Sequence, residues 1–277
     1  MLWTVDEAGQ VTDLRNLGRL PGGSYSRAFG INNLGQIVGF ANNAAGTRRP
    51  FIWTEDGGMQ DLGVPDGLLG GQAHKINDQG QIVGAAYVEF TDVQEDGRFT
   101  IWKVGTDGAV KEIQDLGTLG GLGSVAWNNN ELGHVVGDIW RGGSPTGFLW
   151  SEEDGVLEIV GVEALGINDN DEVAGVGFLP ESGFVWTETG GITLIQDGLA
   201  MSINNSGQAV GRSRSAISIH GFGQGFIWEG GELQLLPLPE DRDFSWALAI
   251  NDSGWIVGWG TDEPGNEFAN LWIPNEP

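Results

Sequence analysis

The chain contains no cysteine, so disulfides, thiolate nucleophiles and thiolate metal sites are all excluded. Positive charge is scarce: 13 lysines and arginines stand against 38 aspartates and glutamates, a formal net charge of −25. Such a surface repels both the phosphate backbone of nucleic acid and anionic membranes, so neither is expected as a partner. No apolar run approaches the roughly 20 residues that span a bilayer, which argues against membrane insertion. Met1-Leu2-Trp3 does not open a signal peptide. The three histidines, His74, His134 and His220, share no metal-ligand spacing. No segment carries a helical period of any length.

What is present is repetition. The stretch Ala28-Phe-Gly-Ile-Asn-Asn-Leu-Gly-Gln-Ile-Val-Gly39 is written six times, as Ala73–Gly84, Ala126–Gly137, Ala164–Gly175, Ala200–Gly211 and Ala247–Gly258 repeat its Ala, Asn and Gly at fixed offsets. A further Gly follows the Asn by three residues in every copy except one, where Asp171 replaces it. Asn-x-x-Gly between two apolar runs is hairpin chemistry, because Asn and Gly tolerate the left-handed backbone that a tight turn needs. A second unit alternates with the first: an aromatic-aliphatic-Trp strand, a Gly-rich turn and a Leu, as in Phe51-Ile-Trp53 through Glu55-Asp-Gly-Gly58 to Leu62. One repeat is thus two hairpins, or four short antiparallel strands, which is the content of one propeller blade.

These patterns predict an all-β fold, a six-bladed β-propeller of four-stranded antiparallel blades forming a single domain over residues 1–277, with seven blades as the alternative count. The repeats lie near 28–62, 73–116, 126–160, 164–195, 200–237 and 247–277. The N-terminal segment 1–16 is a Trp-type hairpin, whereas the C-terminal copy ends on one Trp-type strand. The two ends are therefore expected to share one blade and close the ring, which would remove exposed sheet edges. In that arrangement Trp3 and Trp272 compete for one strand position.

The repeat unit Ser-x-Ala-x-x-Ile-Asn-x-x-Gly-x-Val-Val-Gly, then Ala-Phe-x-Trp and Asp-Leu-Gly-x-Leu-Gly-Gly, resembles the bacterial HAF-type extracellular repeat over essentially the whole chain. Asp115-Leu-Gly-Thr-Leu-Gly-Gly121 and Pro50-Phe-Ile-Trp53 carry the resemblance most closely. It implies a propeller-like protein, secreted or on the surface of a prokaryote, and it brings no catalytic residue with it.

Sixfold repetition assigns the Asn, Gly and Trp residues to scaffold, because a catalytic site is needed once and a turn in every blade. Function is then sought in the unrepeated loops. Most arginines fall there, with the off-pattern aromatics: Tyr25, Arg48, Arg49, Tyr87, Trp140, Arg141, Arg212, Arg214, His220, Trp246 and Trp259. Guanidinium groups recognise carboxylate or sulfate bidentately, and aromatic faces stack on sugars. Together they point to a polysaccharide or an acidic protein partner; the competing view pairs these arginines with acids of the same loops. No catalytic residue is assigned. The irregular copy places Asp169, Asp171 and Glu172 together as a candidate Ca²⁺ site, with no other cofactor expected. The principal expectation is a non-enzymatic recognition module. A polysaccharide-acting hydrolase or lyase, and a structural part of a cell-surface assembly, are the alternatives; oligomeric state is open.

Overall fold

The computed structural model describes residues 1–88, 96–178, 181–214, 223–238, 244–262 and 265–274. Among them there is no helix, and the fold is the expected six-bladed β-propeller of antiparallel blades, five of four strands and the last of three. The chain divides into two compact units, Met1–Asp6 with Gln10–Val160 and Glu7–Gly9 with Gly161–Pro277.

The first unit holds three blades whose strands pair in sequence order. They are Ser26–Ile31, Ile37–Asn42, Arg48–Thr54 and Gly58–Asp61; Gly70–Ile76, Gln81–Tyr87, Arg98–Val104 and Val110–Gly117; and Gly123–Asn129, Val135–Trp140, Thr146–Ser151 and Gly155–Ile159. The second unit holds Val162–Ile167, Val173–Phe178, Glu181–Thr187 and Gly191–Ile195; Gly198–Ile203, Ala209–Ser213, Gly225–Glu229 and Glu232–Leu235; and a last sheet of Phe244–Ile250, Ile256–Thr261 and Glu267–Trp272.

The expected sharing of one closing blade is where the structure differs. Glu267–Trp272 pairs with Ile256–Thr261 in a sheet of three strands, and Leu2–Val5 pairs with Val11–Arg15 as a separate two-stranded ribbon. Trp3 opposes Leu14 and Trp272 opposes Ile256, so the two tryptophans occupy different sheets and do not compete. Each terminal strand pairs with its neighbour in sequence, which closes only a short loop.

Period-2 alternation puts one set of side chains on each face of a blade, and packing between blades buries both. Between the first and second blades lie Val38, Ile52, Ile76, Ile82 and Trp102, with Leu62 at the edge. Between the second and third lie Val83, Phe99, Ile101, Val135 and Phe148. In the second unit Val185, Ile195, Ile203, Phe226 and Trp228 do the same. The repeated Trp also finds a partner for its N–H: Trp102 Nε1 donates to Gly63 O at 3.0 Å and Trp272 Nε1 to Pro237 O at 2.8 Å.

The repeated polar residues are explained by the same packing. Asn32 Oδ1 accepts the Leu34 and Gln36 N–H groups of its own turn, while Asn32 Nδ2 donates to Asn77 O in the next blade at 3.0 Å. Asn77 donates in turn to Asn130 O, and in the second unit Asn168 donates to Asn204 O and Asn204 to Asn251 O. The Asn is therefore both a turn cap and a staple between blades. The turn Gly has positive φ, for example 73° at Gly35 and 78° at Gly80. The final Gly has a different cause: a Cβ there would stand 1.9–2.0 Å from a backbone carbonyl, as at Gly84 against Gln72 O and Gly211 against Leu199 O. No side chain fits that approach.

Candidate functional site

In every blade the first strand carries a bulge directly after the repeated Ala, with register shifts between Ala28 and Gly30, Ala73 and Lys75, Ala126 and Asn128, Ala164 and Gly166, Ala200 and Ser202, and Ala247 and Ala249. Bulges re-aim a side chain, and here the bulged residue varies chemically from copy to copy: Phe29, His74, Trp127, Leu165, Met201 and Leu248.

In the first unit these residues join an aromatic row. Ring centroids are 5.7 Å apart from Tyr25 to Phe40, 5.7 Å from Phe40 to Phe29, 5.6 Å from Phe29 to His74 and 4.7 Å from His74 to Trp127. The Arg27 guanidinium lies 5.2 Å from the Phe29 ring and that of Arg48 lies 4.8 Å from Phe40. His74 is buried, its Nδ1–H donates to Ala126 O at 2.8 Å, and burial lowers its pKa from 6.5 to about 4, so the ring is neutral at pH 7. Lys75, one residue on, is held below the usual lysine range by burial, with Glu131 opposing the shift. Trp127 Nε1 donates to the buried Asp138 at 2.5 Å.

The exposed end of the row is Tyr25 and Phe29, 49% and 42% accessible. Tyr25 belongs to the connection that enters the first blade, at the end opposite the Asn turns. There it lines a cavity of about 450 Å³ with Met1, Asn16, Gly18, Arg19, Ser24 and Ser26. An apolar crevice of about 160 Å³, lined by Leu2, Leu17, Phe29, Ile31 and Ile37, meets it at Met1. The first cavity is within the usual range for small-ligand pockets.

The sequence-selected residues divide. Arg49 is held by Asp61 at 2.9 Å and by Leu69 O at 2.9 Å, Arg141 by Glu158 at 2.7 Å, and Arg214 by Glu181 at 3.1 Å. Tyr87 is buried, and burial raises its phenol pKa; Trp140 packs in the same cluster beside Trp127. Arg212, Trp246 and Trp259 come together in the second unit: the Arg212 guanidinium lies 4.8 Å from the Trp246 ring, whose centroid is 6.2 Å from that of Trp259. Among the described residues, the buried donors Arg212 Nε and Trp246 Nε1 have no acceptor. His220 lies outside the described residues.

Glu172 and Asp169, both chosen for Ca²⁺, are engaged otherwise. Glu172 accepts from Asn168 Nδ2 at 2.6 Å and Asp169 from Asn205 Nδ2 at 2.8 Å. Asp171 takes the turn position with φ 58°. Among the described residues no group of three His, Asp or Glu side chains is placed to hold a metal ion.

Arg19, Arg27, Phe29 and Phe40 were not among the residues selected by sequence. Phe29 lies inside the repeat, and the signal available for it was the chemical variability of its offset across the six copies, a variability that the following offset shares.

No family model and no curated protein sequence matches the chain. Solved structures do match it, at identities that show the fold alone. The propeller domain of the trilobed protease from Pyrococcus furiosus, described as having an open velcro topology, aligns with TM-score 0.60 and 11% identity over 92% of this chain and 80% of that one. The acylaminoacyl peptidase of Pyrococcus horikoshii aligns with TM-score 0.58 and 14% identity over 92% of this chain. TolB from Acinetobacter baumannii gives 0.51 and 12% over 86% of this chain and 66% of its own. The chain spans less than half the length of the peptidase, 44%; what it shares with these proteins is a β-propeller.

Proposed function

We propose that the protein is a non-catalytic recognition module of the extracellular HAF-repeat kind, which binds polysaccharide at the long-loop end of its first blade. One observation carries this reading: Tyr25 and Phe29 stand exposed on a rigid strand and its entry loop, beside a cavity of about 450 Å³. Exposed aromatic rings fixed by neighbours offer flat apolar faces to sugar rings at little entropic cost. Phe40 and His74 hold the two rings in place from behind. A cavity of this size suits one or two sugar units better than a protein, whose interface needs about 800 Å² per partner.

The test is binding of the purified protein to a glycan array, followed by affinity electrophoresis on the glycans that bind. Tyr25→Ala and Phe29→Ala are each expected to weaken binding about fivefold to tenfold, the worth of one aromatic contact, with unchanged far-UV circular dichroism. Absence of binding to every glycan, or unchanged binding in both variants, overturns the proposal.

A further inference from the structure

We infer that the sugar taken at this site carries an oxyanion, a carboxylate or a sulfate ester, and that Arg19 and Arg27 read it. This rests on the reading that the site binds a glycan, and it names the class of glycan.

The distribution of ion pairs carries the inference. Arg15, Arg49, Arg98, Arg141 and Arg214 each hold a carboxylate within 3.1 Å, from Glu55, Asp61, Asp115, Glu158 and Glu181 respectively. With 38 acids for 13 bases, a carboxylate is available to nearly any arginine on this surface. Arg19 and Arg27 are the exceptions at the proposed site. Both are exposed, and neither has a carboxylate partner among the described residues. Arg27 rests on the Phe29 ring, and Arg19 lines the cavity.

Among the described residues the cavity has no acidic side chain in its lining, in a chain where acids outnumber bases almost threefold by the counts 38 and 13. Asn16 spends its Oδ1 on the Gly18 N–H, and Ser26 donates its hydroxyl to Gly18 O. That leaves the Asn16 amide hydrogens, the Ser24 and Tyr25 hydroxyls and the Arg19 guanidinium as hydrogen-bonding side-chain groups of the lining, the amide and the guanidinium being pure donors. A donor-rich, acid-free cavity beside exposed aromatic faces suits an acceptor-rich, negatively charged ring substituent. The field of the whole molecule works the other way. A net charge of −25 repels polyanions at long range, so binding of an acidic glycan to this protein must come from a local set of contacts and not from bulk attraction.

Affinity electrophoresis at constant ionic strength separates the possibilities, with gels containing polygalacturonate, its fully methyl-esterified form, dextran sulfate or dextran. Retardation by at least one acidic polymer, stronger than by its neutral counterpart, is expected. Arg19→Ala and Arg27→Ala should each weaken acidic binding about tenfold, the usual loss for one charge-assisted hydrogen bond, while any neutral binding persists. Arg19→Lys should recover part of the loss, and Lys103→Ala, an ion-paired surface residue, should change nothing. Preference for polygalacturonate or for dextran sulfate tells carboxylate from sulfate. Equal binding to acidic and neutral polymers would overturn the inference while the glycan reading stands. An acidic preference that survives both arginine substitutions also overturns it, and failure to bind any glycan removes both.

Discussion

Asn204→Ala and Asn251→Ala remove the same residue from the same turn of two neighbouring blades in one unit, yet the structure predicts unequal losses. Asn251 is exposed, and its Oδ1 accepts one N–H, that of Trp255, at 2.9 Å. Asn204 is 3% accessible and makes four bonds: its Oδ1 accepts from Ser206 and Gln208, and its Nδ2 donates to Gln208 Oε1 at 2.9 Å and to Asn251 O in the next blade at 3.1 Å. A net hydrogen bond contributes about 0.5–1.5 kcal/mol, and orphaning a buried partner raises the cost. Asn251→Ala should therefore cost about 1 kcal/mol and Asn204→Ala roughly 2–4 kcal/mol. Asn204→Asp keeps the accepted bonds, loses the donated ones and sets an anionic oxygen against two acceptors, so it should cost at least about 1–2 kcal/mol. Guanidinium unfolding followed by far-UV circular dichroism measures the three midpoints. Both positions lie in one unit, so they shift the same transition. Equal losses for Asn204→Ala and Asn251→Ala would refute the claim that the repeated Asn ties one blade to the next.

The other expectations follow from single features. Gly84→Ala sets a Cβ 2.0 Å from Gln72 O and should destabilise by roughly 3 kcal/mol or more, whereas Gly35→Ala, with φ 73° and open space around it, should cost about 1 kcal/mol; thermal melts of the two distinguish steric approach from backbone conformation. His74 has a folded pKa of about 4 against an ordinary 6.5, so the unfolded chain binds the extra proton between these values. Its contribution to stability is intact above pH 6.5, declines as pH falls through the window and levels off below 4. The linked loss is about 3 kcal/mol, and His74→Phe should flatten that part of the stability–pH curve; a curve of unchanged slope would refute a buried neutral His74.

Much of the scaffold was legible because its causes are local. Asn32, Gly35 and Gly39 recur for reasons acting within one hairpin: a side chain capping its own turn, a positive φ and a backbone approach of 2.0 Å at Gly39. The Asn bond to the neighbouring blade was not legible, since it joins residues 45 apart, as from Asn32 to Asn77. The arginines were harder still. Whether Arg141 is free or bound to Glu158, 17 residues away, depends on the register of two strands, and composition only says that acids are plentiful. Phe29 was overlooked because the bulge that turns it outward shows in the ladder and not in the residue order.

The sequence by itself determined the all-β class, favoured six blades over seven and assigned the repeated residues to scaffold, because periodic side-chain placement and turn chemistry are short-range properties copied six times. Only the tertiary structure decided which arginines are already neutralised, that the terminal strands pair in separate sheets, and that Tyr25, Phe29, Arg19 and Arg27 are gathered at one end of the first blade. Those outcomes depend on which long-range neighbours the folded strands bring within a few ångströms, and charge pairing and ring contact are decided at that distance.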